Sequence, residues 1–344
     1  MTSMTDLPLF LQAATGIDTR TAPVWFMRQA GRHLPEYRAL KEKYAFWELC
    51  RNPELATEVT MQPVRRYGMD AAILFSDIMT PLPPMGIGVE FRPGPVIDEP
   101  IRSAAQVSAL RVPDEDEIAP FVADTLRLLE QASPVPPIGF GGAPLTLATY
   151  AIEGSGSKEY PALRAFLRTH PAVAHALLEK LTETSIRYLR MQVRSGARAV
   201  QLFDSWAGLH DARTYAEFAL PYNRRILEAL GETGVPRIFL AVGAPHLLDQ
   251  VATLPAEVFS IDWREPLDAI RPRLPAGCTL QGNLDPAALL APPDAIRSAV
   301  TAVLDAGRGG PHIFNLGHGI FKNTPPENVV IALEALRAYD RHAG

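Results

Sequence analysis

Eight short apolar runs recur along the 344-residue chain, each followed by a stretch that reads as helix or loop. They are PVWFM (23–27), AAILF (71–75), PPIGFGG (136–142), ARAVQLF (197–203), PRIFLAVG (236–243), EVFSID (257–262), CTLQGN (278–283) and PHIFNLG (311–317). Most are continuously apolar rather than alternating, the pattern of parallel strands covered on both faces. Between the runs, Val173, Leu177, Leu181, Ile186, Leu189 and Val193 recur mostly at intervals of three or four, which predicts a helix from Pro171 that ends near Gly196. Thr324, Pro325, Pro326 and Glu327 predict the start of a last helix, with a capping box and proline at its first position. Starts of this kind, and Asp285-Pro286, absorb part of an unusual total of 32 prolines, which central strands and helix interiors tolerate badly.

Eight strands alternating with helices fit either an open doubly wound sheet or a closed barrel. The first run leads into RQAGR rather than a Gly-x-Gly-x-x-Gly turn, and GFGGAP lacks the Lys-Ser/Thr of a phosphate loop. The expected fold class is therefore α/β, a single (β/α)8 TIM barrel spanning residues 1–344 with a short N-terminal extension. A barrel places its chemistry just past the C-terminal ends of its strands. Those positions hold Arg28 and Arg32, Ser76 and Asp77, Gly141 and Gly142, Asp204 and Ser205, Gly243, Asp262, Asn283 and His318.

Composition removes several function classes. With 33 Lys+Arg against 38 Asp+Glu the net charge is −5, which argues against a nucleic-acid partner. Cys50 and Cys278 are the only cysteines and lack a Cys-x-x-Cys spacing, so neither a disulfide framework nor a cysteine zinc site is expected. The first 20 residues have no basic start and no long apolar run, and no segment approaches a membrane span, so a cytoplasmic setting without membrane contact is the expectation.

The candidate residues each admit two readings. If RQAGR is helical, Arg28 and Arg32 aim two guanidinium forks at one region, a match for carboxylates or phosphates; alternatively Arg32 pairs with Glu36 at the surface. Asp77 follows a buried run, so its carboxylate needs donors or a cation. It serves either as a helix cap or structural partner, or as a group left for a ligand's N–H groups. Tyr150 lies four residues after Thr146 on an expected helix and reads as a core tyrosine or a ligand contact. Ser205 follows Asp204, but no Gly-x-Ser-x-Gly elbow supports a nucleophile. Glycines on both sides of His318 let backbone approach a ligand, although a lone histidine is commonly structural. His312 and His318 lack the companions of a metal site.

Taken together, FMRQAGRHLPEYR, LFSDIMTP, GFGGAPLTLATYAIEG, LFDSWAG, QGNLDP and FNLGHGI, in this order between residues 26 and 320, resemble the uroporphyrinogen decarboxylase family. The resemblance implies a (β/α)8 barrel, bacterial members that are cytoplasmic and usually homodimeric, and no metal or organic cofactor. It implies removal of the four acetate carboxyl groups of uroporphyrinogen to give coproporphyrinogen in porphyrin and haem biosynthesis. Carried over motif by motif, it places substrate contacts on Arg28, Gln29, Ala30, Gly31, Arg32, Asp77, Tyr150, Ser205 and His318, with Asp77, Arg28 and Arg32 as the catalytic set. His33 departs from the tyrosine usual in the family. The chemistry suits these residues: a pyrrole protonated on carbon becomes a cation that is its own electron sink, and an ionised Asp77 both accepts the ring N–H groups and stabilises that cation. Two alternatives stand beside it, a related-barrel methyltransferase that uses a zinc-bound thiol and a non-catalytic tetrapyrrole-binding protein.

Overall fold

The computed structural model describes residues 6–343 apart from 93 and 158. Nine strands are present among them: β1 (Ala72–Ile73), β2 (Glu90–Phe91), β3 (Pro95–Val96), β4 (Pro137–Gly142), β5 (Ala199–Asp204), β6 (Arg237–Ala241), β7 (Val258–Ser260), β8 (Thr279–Leu284) and β9 (His312–Leu316). Seven form one parallel sheet in the order β1-β4-β5-β6-β7-β8-β9, and β2 and β3 make a separate antiparallel hairpin. Each of the last seven apolar runs thus contributes its expected strand.

The first run does not form an extended strand. It contributes one parallel bridge, Val24 to Phe314 of β9. The local chemistry explains the short ladder: Pro23 has no N–H to give, the Val24 N–H donates to the Asp70 side chain at 2.8 Å, and Arg28 turns the chain with a left-handed φ of 64°. The segment nevertheless touches both edges of the sheet. Phe314 N–H donates to Pro23 O at 2.8 Å on one side, and Asp70 N–H donates to Val24 O at 2.8 Å on the other, just before β1. Farther in, Trp25 Nε1 donates to Gln281 Oε1 (3.0 Å), and Gln281 Nε2 donates to Gln201 Oε1 (3.1 Å) and Ser260 Oγ (3.0 Å). One buried polar network therefore ties this run to β5, β7 and β8.

Successive strand residues enter different apolar clusters, as burial on both faces requires. In β5, Val200 and Leu202 pack with Leu177, Leu181 and Leu189 of the helix Pro171–Arg194, whereas Ala199 and Phe203 join Phe140, Leu240 and Ile313. Proline occupies the first position of the helices Pro35–Lys41, Pro53–Tyr67, Pro120–Ala132, Pro144–Glu153, Pro161–Thr169, Pro171–Arg194, Pro293–Ala306 and Pro326–Ala338, where its missing N–H costs nothing. The expected capping box on the last helix is not formed. Pro325 is the residue at the cap, no side chain caps the helix, and the Thr324 hydroxyl is buried without a partner among the described residues, because two consecutive prolines move the helix start one residue past the threonine's reach.

Candidate active site at the carboxyl rim of the sheet

Because the seven strands are parallel, the residues that follow them collect at one end of the sheet. RQAGR is not helical there but runs through turns from Met27 to Leu34, so the conditional helical reading of the two arginines does not hold. The left-handed Arg28 that makes the turn is a conformation non-glycine residues adopt at a cost, commonly at functional sites. Gln29 holds the turn in place: its Oε1 accepts from Phe26 N–H (3.0 Å) and its Nε2 donates to Ala71 O (3.0 Å), and the side chain is buried. Both ends of its amide are thus engaged by backbone, and Ala30 and Gly31 offer backbone beside it. Arg28 and Arg32 are exposed, and neither guanidinium has an ion-pair partner among the described residues. Glu36, the alternative partner for Arg32, is taken by Arg66 at 2.7 and 2.9 Å.

Asp77 is half-buried just past β1. Its Oδ1 accepts from Met79 N–H at 2.9 Å, while no described donor engages Oδ2. Desolvation pushes the carboxyl pKa up, and the Met79 N–H and the nearby Arg28 charge pull it back. Tyr150, on the helix Pro144–Glu153, feels the same pair: burial and the Asp77 charge raise its pKa and Arg28 lowers it, so it stays a neutral phenol at ordinary pH. Its ring lies 6.0 Å from that of Trp206, which follows Ser205.

A buried network fixes this wall. Asp204 accepts from Thr146 Oγ1 (2.9 Å), Tyr215 OH (3.1 Å) and Asn223 Nδ2 (3.0 Å), and Trp206 N–H donates to Thr146 Oγ1 (3.3 Å). Asp204 therefore ties the helix carrying Tyr150 to the turn carrying Ser205, a role that its place at a strand end signals but does not specify.

His318 follows β9, and burial first, then the Arg28 and Arg264 charges, lowers its pKa to about 4. It is a neutral imidazole at pH 7, able to donate or accept a hydrogen bond but not to supply a standing positive charge. The flanking glycines have distinct reasons. A Cβ on Gly317 would overlap Trp263 backbone, and one on Gly319 would overlap the Arg28 side chain. The loop Asp262–Glu265, whose Trp263 packs edge-on to His318 with ring centroids 6.2 Å apart, was identified from sequence only through Asp262. Trp263 and Arg264 sit one and two residues beyond that strand-end position, which is the signal that locates them.

Fold and site together define a parallel α/β protein whose carboxyl-end rim carries a half-buried carboxylate, guanidinium groups without ion-pair partners among the described residues, a phenol and a neutral imidazole. Comparison with known proteins narrows this class. The family model described as uroporphyrinogen decarboxylase (URO-D) matches residues 5–339. The curated uroporphyrinogen decarboxylase of Syntrophotalea carbinolica is 48% identical over 330 residues, covering 95% of this chain and 96% of that protein. That of Geobacillus kaustophilus is 50% identical over 321 residues, covering 92% and 93%. Among solved structures, a methyltransferase from Methanosarcina mazei superposes with a TM-score of 0.79 at 19% identity, covering 95% of this chain and 96% of its own, a likeness of fold alone. The chain belongs to the uroporphyrinogen decarboxylase family.

Among the described residues no group of three or more His, Cys, Asp or Glu side chains is placed to hold a metal ion, and no helix is long and apolar enough to cross a membrane.

Proposed function

We propose that this protein decarboxylates the four acetate side chains of uroporphyrinogen III to give coproporphyrinogen III in porphyrin and haem biosynthesis. The observation that carries the reading is Asp77, a half-buried carboxylate with one oxygen unengaged, set beside an unpaired Arg28 in a chain of this family. Pyrrole N–H groups from the flexible ring complete the shell of Asp77, and each such bond favours the ionised form that burial opposes. A proton is delivered to the pyrrole α-carbon next to the carbon that bears the acetate, and the ring becomes cationic with that acetate-bearing carbon still conjugated to the cation. The bond between the acetate methylene and its carboxylate then breaks, carbon dioxide leaves, and the electron pair neutralises the ring cation. A second proton converts the exocyclic methylene to a methyl group, and loss of the added ring proton restores the pyrrole. The Asp77 charge acts on the cation that develops on the way to bond cleavage.

Arg28 and Arg32 bind side-chain carboxylates and govern proton delivery, one of them directly or through a relayed water; arginine is a poor acid at neutral pH, which favours the relay. Tyr150, Ser205 and His318 orient acetates and propionates by neutral hydrogen bonds. Gln29, Ala30 and Gly31 present the arginine turn, Gln29 through its two backbone bonds.

We also read the Pro23–Trp25 segment, bonded to both sheet edges, as the eighth position of a closed (β/α)8 barrel that makes the chain one domain. Cofactor-free catalysis by a cytoplasmic homodimer completes the reading on family resemblance, and analytical ultracentrifugation tests the dimer. The activity test is incubation of the purified protein with uroporphyrinogen III, followed by oxidation and chromatographic separation of porphyrins by carboxyl number. Stepwise loss of four carboxyl groups supports the reading, and an unchanged substrate with folded protein overturns it.

A further inference from the structure

The substrate of the proposed reaction carries eight carboxylates, and the two arginines of the first turn leave most of them without a cation. The rim loop after β7 holds another. Asp262, buried at the strand end, accepts from Arg264 backbone N–H through Oδ1 (2.9 Å) and from Arg264 Nη1 through Oδ2 (2.9 Å), and its Oδ2 also takes Gly243 N–H. The guanidinium carbon lies 4.3 Å from the centroid of the Trp263 ring, a cation–π stack. Asn283 at the end of β8 donates to Asp262 O (2.8 Å) and Glu265 O (2.6 Å), so the loop is held at both ends. Arg264 is thereby fixed in one orientation by groups that use only one of its five side-chain N–H donors. The side chain remains 44% exposed, with Nε and Nη2 bonded to no described residue.

A planar fork held by a carboxylate and an indole, with its remaining donors open, is pre-organised for a second carboxylate. Its place in the site follows from His318. The His318 ring meets Trp263 edge-on, and Gly319 beside it is packed against Arg28. Arg28 and Arg264 thus both border the imidazole, near enough for their charges to lower its pKa.

We propose that Arg264 is a substrate-binding residue that takes a propionate carboxylate of the porphyrinogen, with Asp262 and Trp263 as its positioning groups. The assignment to propionate rests on the partners of each arginine: Arg28 is the arginine whose charge acts on Asp77, where the proposed chemistry occurs, whereas Arg264 is anchored on Asp262 and Trp263, so it holds a side chain that is retained. The inference rests on the proposed function and deepens it.

Because propionates persist through all four decarboxylations, the contact is common to substrate and final product. The experiment compares wild type with Arg264→Gln and Arg264→Lys, measuring KM and kcat for uroporphyrinogen III, the inhibition constant of coproporphyrinogen III, and melting temperature. The wild-type rate tests the decarboxylase reading by itself; the ratios between variants test Arg264. Arg264→Gln is expected to raise KM and the product inhibition constant together, by roughly tenfold or more, as loss of one charge-assisted contact does, with kcat changed little. Arg264→Lys keeps the charge opposite Asp262 but not the fork, and falls between. Unchanged KM and inhibition constant overturn the proposal, as does a loss confined to kcat. A rise in KM without a rise in the product constant overturns the propionate assignment. If Arg264→Gln melts well below wild type, the Lys variant decides: wild-type constants in it refute the role of the fork.

Discussion

Lowering the pH should unfold this protein through its histidines. Four of them have pKa values depressed mainly by burial: His33, His210 and His318 to about 4 and His312 to about 3. In the unfolded chain each titrates near 6.5. Between those limits the unfolded state binds more protons than the folded one, so stability is fully present above about pH 6.5 and falls as pH drops towards 4. At pH 5.5 each histidine differs by about 0.9 proton between the states, and the four give a slope of roughly 5 kcal/mol per pH unit. At lower pH the raised pKa values of Asp70, Asp77 and Asp204 act with the opposite sign and the lowered ones of Glu36, Asp211 and Asp340 with the same sign, so the histidines set the slope above about pH 5. The loss accumulates to roughly 7 kcal/mol by pH 5, which exceeds the lower end of a net stability of about 5–15 kcal/mol. His33 isolates one proton of this uptake. It is buried, stacked on Tyr67 with centroids 6.1 Å apart, and both ring nitrogens lack partners among the described residues, so His33→Phe keeps the stack and removes the titration. Urea unfolding at several pH values from 7.5 to 5 measures the slope. The variant should lose close to one proton of uptake, about 1.3 kcal/mol per pH unit. A wild-type stability flat from pH 7 to 5, or an identical slope in His33→Phe, would refute the reasoning.

Three further outcomes follow from the site. Asp77→Asn should reduce turnover by at least about a hundredfold, as loss of a group that stabilises transition-state charge does, with an unchanged melting temperature; near-normal turnover removes Asp77 from the mechanism. Arg32→Lys should raise KM and lower kcat/KM roughly tenfold although charge is conserved, because an ammonium replaces a fork, and unchanged kinetics would count against a carboxylate clamp. Gly319→Ala should displace Arg28, whose side-chain carbons occupy the space of the new methyl group, and so depress kcat/KM more than stability. A crystal structure of that variant with Arg28 unmoved would contradict this account.

The strand-helix alternation was legible because burial on both faces leaves a continuous apolar signature, and seven runs became strands of one sheet. Where the reading failed, a local hydrogen bond or a proline decided the outcome. The first run reads as apolar as the others, yet Pro23 has no donor and the Asp70 side chain takes that of Val24, leaving Trp25 N–H a long bond to Phe314 O (3.4 Å). The Thr324-Pro-Pro-Glu pattern satisfies a capping rule that the second proline displaces by one residue. The residues of the site were visible as polar groups at strand ends, but not their partners. Sequence spacing cannot show that Gln29 spends its amide on Phe26 and Ala71, or that Asp204 reaches Thr146, 58 positions away.

The same distinction between total and local settles how an acidic protein can take a polyanion. A net charge of −5 repels an octacarboxylate, but at physiological salt that repulsion is screened beyond about 8 Å. Inside that distance the arrangement of arginines matters more than their number. Across the surface they are largely consumed by carboxylates, as in Arg66 with Glu36, Arg187 with Glu183 and Arg198 with Glu130. At the carboxyl rim Arg28 and Arg32 have no such partner, and Arg264 commits a single side-chain donor to Asp262. The positive charge at the rim therefore comes from withholding carboxylates from Arg28 and Arg32 and from leaving most of the Arg264 donors open beside its single bond to Asp262, so the excess of acidic residues elsewhere costs the site little.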